Sequence, residues 1–554
     1  MPVELNTLSY LLLTSIFSAA SAVAIKNGRH SDVHPLVLNS QGSFSPLRYA
    51  GESAIIKSKM YTHSTLFSNN QTIHTLSQLY EVAFLKHKTN TFILSGQTVC
   101  SRYGGSLKSI QSIFSGLVNI ANLVPCSDKE SSFVGIYAST SPDAFMTEIA
   151  CHWGGLVTIP IAAQATSSHL LHVIRNTSLT VLVIDASHLD FALHLIEAST
   201  VKHLIVLGNH PQEQREYFGI RVSSFDYLKK VGLEALIETS DQTSSDTMAS
   251  IYYSSNPKNN IILDNKDDQN ALGVVLTHRN MISALSSYAA HLPASHRITS
   301  KDRFMHGFAI DNVLGYILGA LCTFMGATLS FEDKIPYNDF HLNVENVLST
   351  IKGFRPTIYA SGAPFLKQVR ILIANKYGNS FIYQRGLKRK DRYHREGRLV
   401  SDCIYDMLVF RDIRQRMFGG NIRLLLIDDD QNMSDDASFY RAILGAQVLK
   451  TFSRAETTSG MTATSVYDYT SDKRLIGPPL PVMEIKLSDH EEYTAEDLPN
   501  PRGEIQVRGH NVFAGYWNDD KDTLLDVVHP DGWFITDMIG ELLPNGSFLL
   551  LKSK

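Results

Sequence analysis

Acidic side chains that follow a short apolar run are the first candidates for chemistry in this chain. Asp428, Asp429 and Asp430 come directly after the mostly apolar residues 422–427. Adjacent carboxylates favour either solvent or a bound cation, but a calcium loop needs glycine at its sixth position, where this chain has Met433. The run therefore predicts a solvated acidic loop.

The cysteines are the next candidates, because thiolates bind zinc and form disulfides. The five cysteines are odd in number, widely spaced and without any CxxC pair, at positions 100, 126, 151, 322 and 403. This pattern argues against both a disulfide framework and a structural zinc site. It favours a reducing, cytosol-facing environment.

Alternating helical and apolar segments must position any site. From about Thr75, stretches with helical periodicity, such as 76–85 and 106–121, alternate with short apolar runs. This alternation predicts a doubly wound α/β fold with a mostly parallel sheet. After about residue 475, short alternating runs separated by Pro and Gly predict a smaller β-rich subdomain.

Composition narrows the class of protein. The 554 residues are 44% hydrophobic and 19% charged, and 50 Lys+Arg against 54 Asp+Glu give a net charge of -4. A disordered chain would have fewer apolar residues, and a nucleic-acid-binding protein would be basic. We therefore expect a globular protein of several domains with no nucleic-acid partner.

The N-terminus predicts a hydrophobic helix. Residues 5–25 carry no charge, and such a helix is long enough to cross a hydrocarbon core of about 30 Å. Glu4 precedes the run and Lys26 and Arg29 follow it, which favours a membrane anchor with the remaining chain in the cytosol. A secretory signal is an alternative, although it lacks a positive start. A surface-packed or buried helix is the other alternative.

Two further segments bear on membrane contact. Residues 307–331 form a long apolar stretch, but Asp311, Asn312 and several glycines favour a buried helix followed by a strand over a second span. The segment 385–398 carries seven Lys and Arg residues. It either faces anionic lipid heads or forms an ordinary solvated helix.

Several motifs, taken in order, resemble the large domain of the AMP-forming acyl-CoA synthetases, most closely the long-chain fatty acid–CoA ligases. Each motif is short, but their order and spacing follow the family. The resemblance extends from about Thr75 to the end of the chain. The matching segments are 273–280, 455–460, 477–481, 503–509 and 531–536.

The resemblance implies a two-step reaction. Members of the family use ATP to convert a fatty acid to an acyl-adenylate, and the thiol of coenzyme A then displaces AMP. ATP, Mg²⁺ and coenzyme A are therefore the implied ligands, with a fatty acid as the substrate. The implied fold is the doubly wound α/β large domain of adenylate-forming enzymes followed by a small β-rich subdomain.

The implied organisation has four parts. Residues 1–30 form the hydrophobic anchor, 31–74 an irregular lead-in, 75–474 the AMP-binding large domain and 475–554 its β-rich end. The mobile cap domain that follows in the family is expected to be absent. An anchor with a cytosol-facing body suits the endoplasmic reticulum.

The resemblance also implies the site residues. Glu456 matches the catalytic glutamate that coordinates Mg²⁺, although without the resemblance it would be typical of a solvated residue at a helix start. Ser254 and Ser255 would touch phosphate through a polar turn, and Asp537 would accept the ribose hydroxyls. Phe452 would stack on adenine. Three more residues would support the nucleotide site: Gly273, Thr277 and Arg508.

The chain departs from the family at the same site. Residues 254–272 contain an insertion, and Leu272 and Ser453 replace a lysine and a glycine of the family. Without a gap, Met538 falls on the ribose aspartate, so Asp537 could serve only if the loop slipped by one residue. Ile310 replaces the histidine near the acyl pocket.

Two functional hypotheses follow from these departures. The first is a long-chain fatty acid–CoA ligase whose activity is impaired in this chain. The second is a membrane-anchored pseudoenzyme that binds an acyl chain or a protein partner without catalysis.

Overall fold

A computed structural model of the chain describes residues 7–27, 30–60, 64–68, 71–95, 97–126, 132–197, 199–208, 213–237, 243–253, 272–332, 344–429, 436–518, 523–525 and 528–553. The helices are α1 (Thr7–Asn27), α2 (Pro35–Leu38), α3 (Leu76–Lys86), α4 (Tyr103–Ala121), α5 (Pro142–Gly154), α6 (Ser167–Asn176), α7 (Leu189–Ile196), α8 (Phe225–Glu234), α9 (His278–His291), α10 (Val313–Phe324), α11 (Val344–Phe354), α12 (Ala363–Tyr377), α13 (Phe381–Arg395), α14 (Arg411–Phe418) and α15 (Asp436–Leu444). A π-helical turn, Asp406–Phe410, leads into α14.

The strands up to the middle of the chain are β1 (Gly42–Phe44), β2 (Ile56–Ser58), β3 (Leu66–Ser68), β4 (Gln71–Ile73), β5 (Thr91–Ser95), β6 (Thr98–Arg102), β7 (Phe133–Ala138), β8 (Val157–Ala162), β9 (Val181–Asp185), β10 (His203–Leu207), β11 (Gln214–Tyr217), β12 (Ile220–Ser224), β13 (Met248–Tyr253) and β14 (Gly273–Thr277). The later strands are β15 (Arg303–Gly307), β16 (Thr328–Phe331), β17 (Ile358–Gly362), β18 (Leu424–Asp428), β19 (Gln447–Arg454), β20 (Ser459–Ala463), β21 (Leu475–Gly477), β22 (Met483–Ser488), β23 (Arg502–Gly509), β24 (Gly515–Asn518), β25 (Thr523–Leu525), β26 (Phe534–Leu542) and β27 (Phe548–Ser553).

Two large sheets with parallel centres carry the fold. In the described residues, one sheet has ten strands in the order β11-β12-β10-β9-β7-β8-β13-β14-β24-β25, and the other has eight in the order β20-β19-β18-β17-β15-β16-β5-β6. The strands β7 to β10 pair in parallel, and so do β15 to β19. The predicted doubly wound α/β architecture is confirmed.

A third sheet is antiparallel and contains the C-terminal strands. Its order is β1-β2-β22-β23-β26-β27-β21. β1 and β2 belong to the segment expected to be an irregular lead-in, yet β2 pairs with β22, through Ile56 and Ile485. Strands this short have too little periodicity to be recognised in the sequence, and a partner more than four hundred residues away determines them.

The core lies between the two large sheets. Nearly every side chain of α5 and α10 is buried there. This is expected for α10, which is apolar on all sides, whereas α5 also buries Glu148 and His152. Local signals fix their ends: Ser141 caps α5, Pro142 occupies its first turn, and Gly155 ends it with a φ of +75°. The stretch 307–331 is therefore a buried helix followed by strand β16, as the sequence predicted.

Helix α1 differs from these core helices. Its residues 7–25 are long and apolar enough to cross a membrane, and none of that stretch is buried against the rest of the chain. A signal sequence near an N-terminus would satisfy the same criterion.

Candidate active site

The candidate site lies where the parallel strands of the eight-stranded sheet end. Asp428 is the last residue of β18, and Glu456 follows the end of β19 by two residues. The carboxyl ends of neighbouring parallel strands share one edge of a sheet, which is where open α/β folds bind ligands. Strand order thus brings together residues that are far apart in the sequence.

Glu456 is held at both its backbone and its side chain. It lies in a 3-10 turn, Ala455–Thr457, and its carbonyl oxygen accepts a hydrogen bond of 2.9 Å from the N–H of Phe513. Its Oε1 accepts a hydrogen bond of 3.0 Å from the hydroxyl of Tyr516. The side chain is only 6% exposed, so it is not the solvated helix-start residue of the alternative interpretation.

Tyr516 joins the two predicted carboxylates. Burial raises the pKa of its phenol above the ordinary value, and the negative charge of Glu456 adds to the shift. Asp537 acts on the same hydroxyl in the same direction, while Arg454 opposes them. The phenol therefore remains a hydrogen-bond donor among two carboxylates and a guanidinium.

A bulge in β26 gives Asp537 its position. On β23 and β26, Glu504 pairs with Ile539, but Gln506 pairs with Ile535. One residue of β23, Ile505, therefore stands opposite three residues of β26, 536–538. Asp537 adopts a φ of +53°, which non-glycine residues adopt uncommonly, and it is half-buried. The role of Asp537 in binding ribose stays a prediction.

Thr277 contributes by holding the loop in front of Tyr516. Its hydroxyl caps α9 together with the side chain of Asn280. The Nδ2 of Asn280 donates to the carbonyl oxygens of His510 and Val512, both at 2.8 Å. Thr277 therefore acts through the loop at 510–512.

A second set of contacts fixes that loop to the turn of Glu456. The hydroxyl of Thr458 donates to the carbonyl oxygen of Asn511 at 2.7 Å, and the Nδ2 of Asn511 donates to the carbonyl oxygen of Thr457 at 3.2 Å. The loop and the turn are thus positioned together.

Gly273 begins the strand that returns from the predicted phosphate turn. A Cβ at this position would lie 2.6 Å from the ring of Tyr253, its partner across β13 and β14. Glycine is required here by this close approach. Ser254 and Ser255 lie outside the described residues, so their contact with phosphate stays a prediction.

Phe452 and Arg508 are not among the described contacts of Glu456. Phe452 is buried in the core from β19, where it pairs with Thr462. Arg508 forms an ion pair with Glu484 on the neighbouring strand, and its guanidinium lies 4.6 Å from the ring centroid of Trp533. Their roles in nucleotide binding remain predictions.

The expected solvated acidic loop is wrong for two of its three residues. Asp428 and Asp429 are buried. Asp428 accepts hydrogen bonds from Ser453 at 2.5 Å and from Asn312 at 3.2 Å, and Asp429 lies 3.3 Å from the ammonium of Lys450. Partners from other strands satisfy these carboxylates, which the sequence alone could not show; Asp430 lies outside the described residues.

Two further buried carboxyls were not among the residues predicted from the sequence. Glu148 lines a cavity of about 10 Å³ beside Ile310, and Glu332 lines a second cavity of the same size on the other side of Ala309 and Ile310. Burial raises the pKa of Glu148 well above its ordinary value. It raises the pKa of Glu332 to about 8, so Glu332 is mostly neutral at pH 7. In the sequence, both glutamates lie within or at the end of apolar segments, and that position was the only sign that they would be buried.

Metal ligands are few at this edge. In the described part of the chain, no group of three or more His, Cys, Asp or Glu side chains is arranged to hold a metal. Mg²⁺ bound with nucleotide commonly uses one or two carboxylates together with phosphate oxygens and water. Glu456, as a single fixed carboxylate, fits such a shared site.

Comparisons with known proteins show which family this part of the chain resembles. Residues 271–517, which include Glu456 and Tyr516, match the AMP-binding enzyme family. The resemblance to the AMP-forming acyl-CoA synthetases is confirmed. Long chain acyl-CoA synthetase 3 of Arabidopsis thaliana is 24% identical over 437 residues, which are 76% of this chain and 62% of the relative. The chain spans about 60% of the length of the curated relatives that it matches.

Solved structures show the same fold. A long-chain-fatty-acid-CoA ligase from Archaeoglobus fulgidus superposes with a TM-score of 0.63 at 16% identity, covering 86% of this chain and 84% of the other. The A domain of carboxylic acid reductase from Segniliparus rugosus, in complex with AMP and a co-purified carboxylic acid, gives 0.63 at 17% identity, covering 86% and 74%. The fold is that of adenylate-forming enzymes.

Proposed function

We propose that the chain activates a long-chain fatty acid with ATP and transfers the acyl group to coenzyme A. The observation that supports this proposal most directly is the cluster of Glu456, Tyr516 and Asp537 at the carboxyl edge of a parallel sheet. The family match covers the first two of these residues.

The chemistry requires two anions to meet. A carboxylate oxygen of the fatty acid attacks the α-phosphorus of ATP, the bond to pyrophosphate breaks, and the thiol of coenzyme A then displaces AMP from the acyl-adenylate. Bound Mg²⁺ would neutralise phosphate charge, and Glu456 would hold it. Tyr516 orients Glu456 by its hydrogen bond. Asp537 would accept hydrogen bonds from the ribose hydroxyls.

Titration calorimetry of the full chain with ATP and Mg²⁺ tests this site. Glu456→Ala is expected to abolish nucleotide binding, because Glu456 is the carboxylate proposed to hold Mg²⁺ and the one that the Tyr516 hydroxyl fixes by a hydrogen bond. The exposed Glu213 offers a control, and Glu213→Ala should leave the affinity unchanged. Equal affinity of wild type and Glu456→Ala would contradict the assignment.

A pseudoenzyme is the second candidate, and one contact favours it. Ser453 stands where the family has glycine, and its hydroxyl is bonded to Asp428 at 2.5 Å, so polar side chains occupy a position that the family keeps small. The distinguishing measurement is pyrophosphate release with a fatty acid and ATP. Release of pyrophosphate supports the ligase, whereas nucleotide binding without release supports the pseudoenzyme.

We further propose that α1 anchors the chain in the endoplasmic reticulum membrane with the α/β body in the cytosol. The absence of burial in α1 supports this, as do the basic residues that follow it. Residues 75–474 would then be the AMP-binding large domain and 475–554 its β-rich end. Protease digestion of intact microsomes should remove the body, and protection of the body would contradict this orientation.

A further inference from the structure

Helix α13 presents a basic stripe to solvent. Five exposed cationic residues follow a helical spacing of three and four: Arg385, Lys388, Arg389, Arg392 and Arg395. At about 100° per residue they fall within an arc of about 120° on the helix. Phe381, at the start of α13, lies in the same arc and is also exposed.

The basic stripe has little compensating charge. Arg395 pairs with Asp391 at 2.7 Å, and Arg389 donates to the hydroxyl of Tyr393 at 3.0 Å. Lys388 and Arg392 form no ion pair with any described residue. The stripe is thus free to attract a polyanionic surface.

An exposed apolar segment lies beside the stripe. Ile404, Met407 and Leu408 are 65%, 75% and 57% exposed, and the last two lie in the π-helical turn Asp406–Phe410. We call these three side chains the apolar patch. Large apolar side chains clustered on a turn commonly mark an interaction site rather than ordinary surface.

A buried ion cluster fixes the apolar patch against α13. The ammonium of Lys390 lies 2.7 Å from Asp406, and the guanidinium of Arg414 lies at the same distance from that carboxylate. The charge of Arg389 interacts with the hydroxyl of Tyr405, which lies within the segment that carries the patch. The ion cluster therefore fixes the patch segment on the buried face of α13, and Arg389, at one edge of the basic stripe, interacts with that segment.

The N-terminal segment brings the apolar helix to the same place. The N–H of Asp32 donates to the carbonyl oxygen of Gly397 at 2.9 Å, and its carboxylate accepts from the N–H of Leu399 at 2.7 Å and from the hydroxyl of Tyr469 at 2.6 Å. Only four residues lie between Asn27, the end of α1, and Asp32, so five Cα-to-Cα steps join the two. They can span at most about 18 Å.

We propose that the basic stripe and the apolar patch dock on the surface of an anionic lipid bilayer. The cations would contact lipid headgroups while Ile404, Met407 and Leu408 insert among the upper acyl chains. The tether at Asp32 keeps this surface at the membrane whenever α1 spans it. This inference does not depend on ligase activity.

Quenching of a tryptophan by brominated lipids tests the proposal in the full chain. The three native tryptophans are all buried, so Met407→Trp reports on the patch. In vesicles of phosphatidylcholine and phosphatidylserine, we expect Trp fluorescence at 407 to shift to the blue and to be quenched. Phe218→Trp, at an equally exposed apolar position on the turn between β11 and β12, should remain unquenched.

A charge variant separates docking from simple tethering. In the Met407→Trp background, R385Q/K388Q/R392Q should lower the equilibrium constant for docking by about tenfold or more, because each basic residue near an anionic surface contributes about 1 kcal/mol, which is about fivefold. The matched variant K202Q/R215Q/R221Q removes three exposed charges on the ten-stranded sheet and should leave quenching unchanged.

Several results would overturn the proposal. Equal quenching at positions 407 and 218, or quenching unaffected by the loss of the basic stripe, would show only the tether of α1. Burial of position 407 in native membranes but not in lipid vesicles would show that a protein partner covers the patch. Leu408→Glu provides an independent check, since it should weaken quenching at 407 without touching the ion cluster.

Discussion

The cluster of Lys390, Asp406 and Arg414 and the interior around Glu148 and Glu332 both bury ionisable side chains, but in opposite ways. In the first, a carboxylate lies 2.7 Å from each of two cations. In the second, burial disfavours the charged form of both carboxyls and raises their pKa values. A charge that leaves water must be paired or removed by protonation.

The difference matches the surroundings of the two regions. The paired cluster fixes the π-helical turn that carries the exposed apolar patch, because Asp406 is the first residue of that turn. The carboxyls of the second region line small cavities between the two large sheets, together with Phe145, His306 and Ile310. An apolar ligand could approach a neutral carboxyl at far lower cost than a charged one.

The largest expected effect comes from breaking the paired cluster. Asp406→Ala would leave Lys390 and Arg414 without their shared anion, and loss of one partner from a buried pair costs about 3–5 kcal/mol. We expect a marked fall in the thermal unfolding midpoint, measured by tryptophan fluorescence. Replacing all three residues by apolar side chains of similar size should restore much of the lost stability. If Asp406→Ala were as stable as wild type, the cluster would not be buried.

The second effect concerns Glu332. Its pKa is about 8 in the folded state and near 4.5 in the unfolded state, so the unfolded chain loses its proton first as the pH rises. Stability should fall between about pH 4.5 and pH 8. Glu332→Gln should remove this fall and stabilise the chain by about 3 kcal/mol at pH 7, and by more above pH 8. Melting curves at pH 5 and pH 8 measure it, and a variant with the slope of wild type would contradict a neutral Glu332.

A third, smaller effect concerns the histidine in the same interior. Burial among the rings of Phe145, Phe304, Phe308 and Phe331 lowers the pKa of His306 to about 4. The unfolded state therefore takes up a proton near pH 6.5 while the folded state does not, and stability falls as the pH drops below that value.

His306→Phe tests this dependence. Between pH 7 and pH 5, the fall in the free energy of unfolding should be about 2 kcal/mol smaller in the variant than in wild type. Urea unfolding at both pH values measures it. The buried His278, whose pKa is also lowered to about 4, remains as an internal comparison. An unaltered pH dependence would show that His306 is accessible to protons in the folded state.

The smallest effect is expected for an exposed pair. Arg416 and Asp412 lie 2.6 Å apart on α14, one turn apart and both open to solvent. Arg416→Ala should cost about 0.5 kcal/mol or less, because water screens the interaction. A loss comparable to that of Asp406→Ala would remove the distinction between buried and exposed pairs.

The sequence predicted the fold further than it predicted the site. Alternating periodicities indicated the doubly wound architecture, and Asp311 and Asn312 correctly argued for a buried helix within 307–331. The burial of Asp428 escaped prediction because its partners, Ser453 and Asn312, come from other parts of the chain. Sequence neighbours cannot show which distant side chains will satisfy a carboxylate.

The sequence by itself determined features that are local, or that depend on the order of motifs along the chain. Hydrophobic periods set the helices and strands, short motifs in series indicated the family, and the uncharged run marked α1. Only the tertiary structure decided which of the predicted side chains meet. It placed Glu456 and Asp537 around Tyr516 through strand order and a bulge, because those contacts depend on the register between strands rather than on any local pattern.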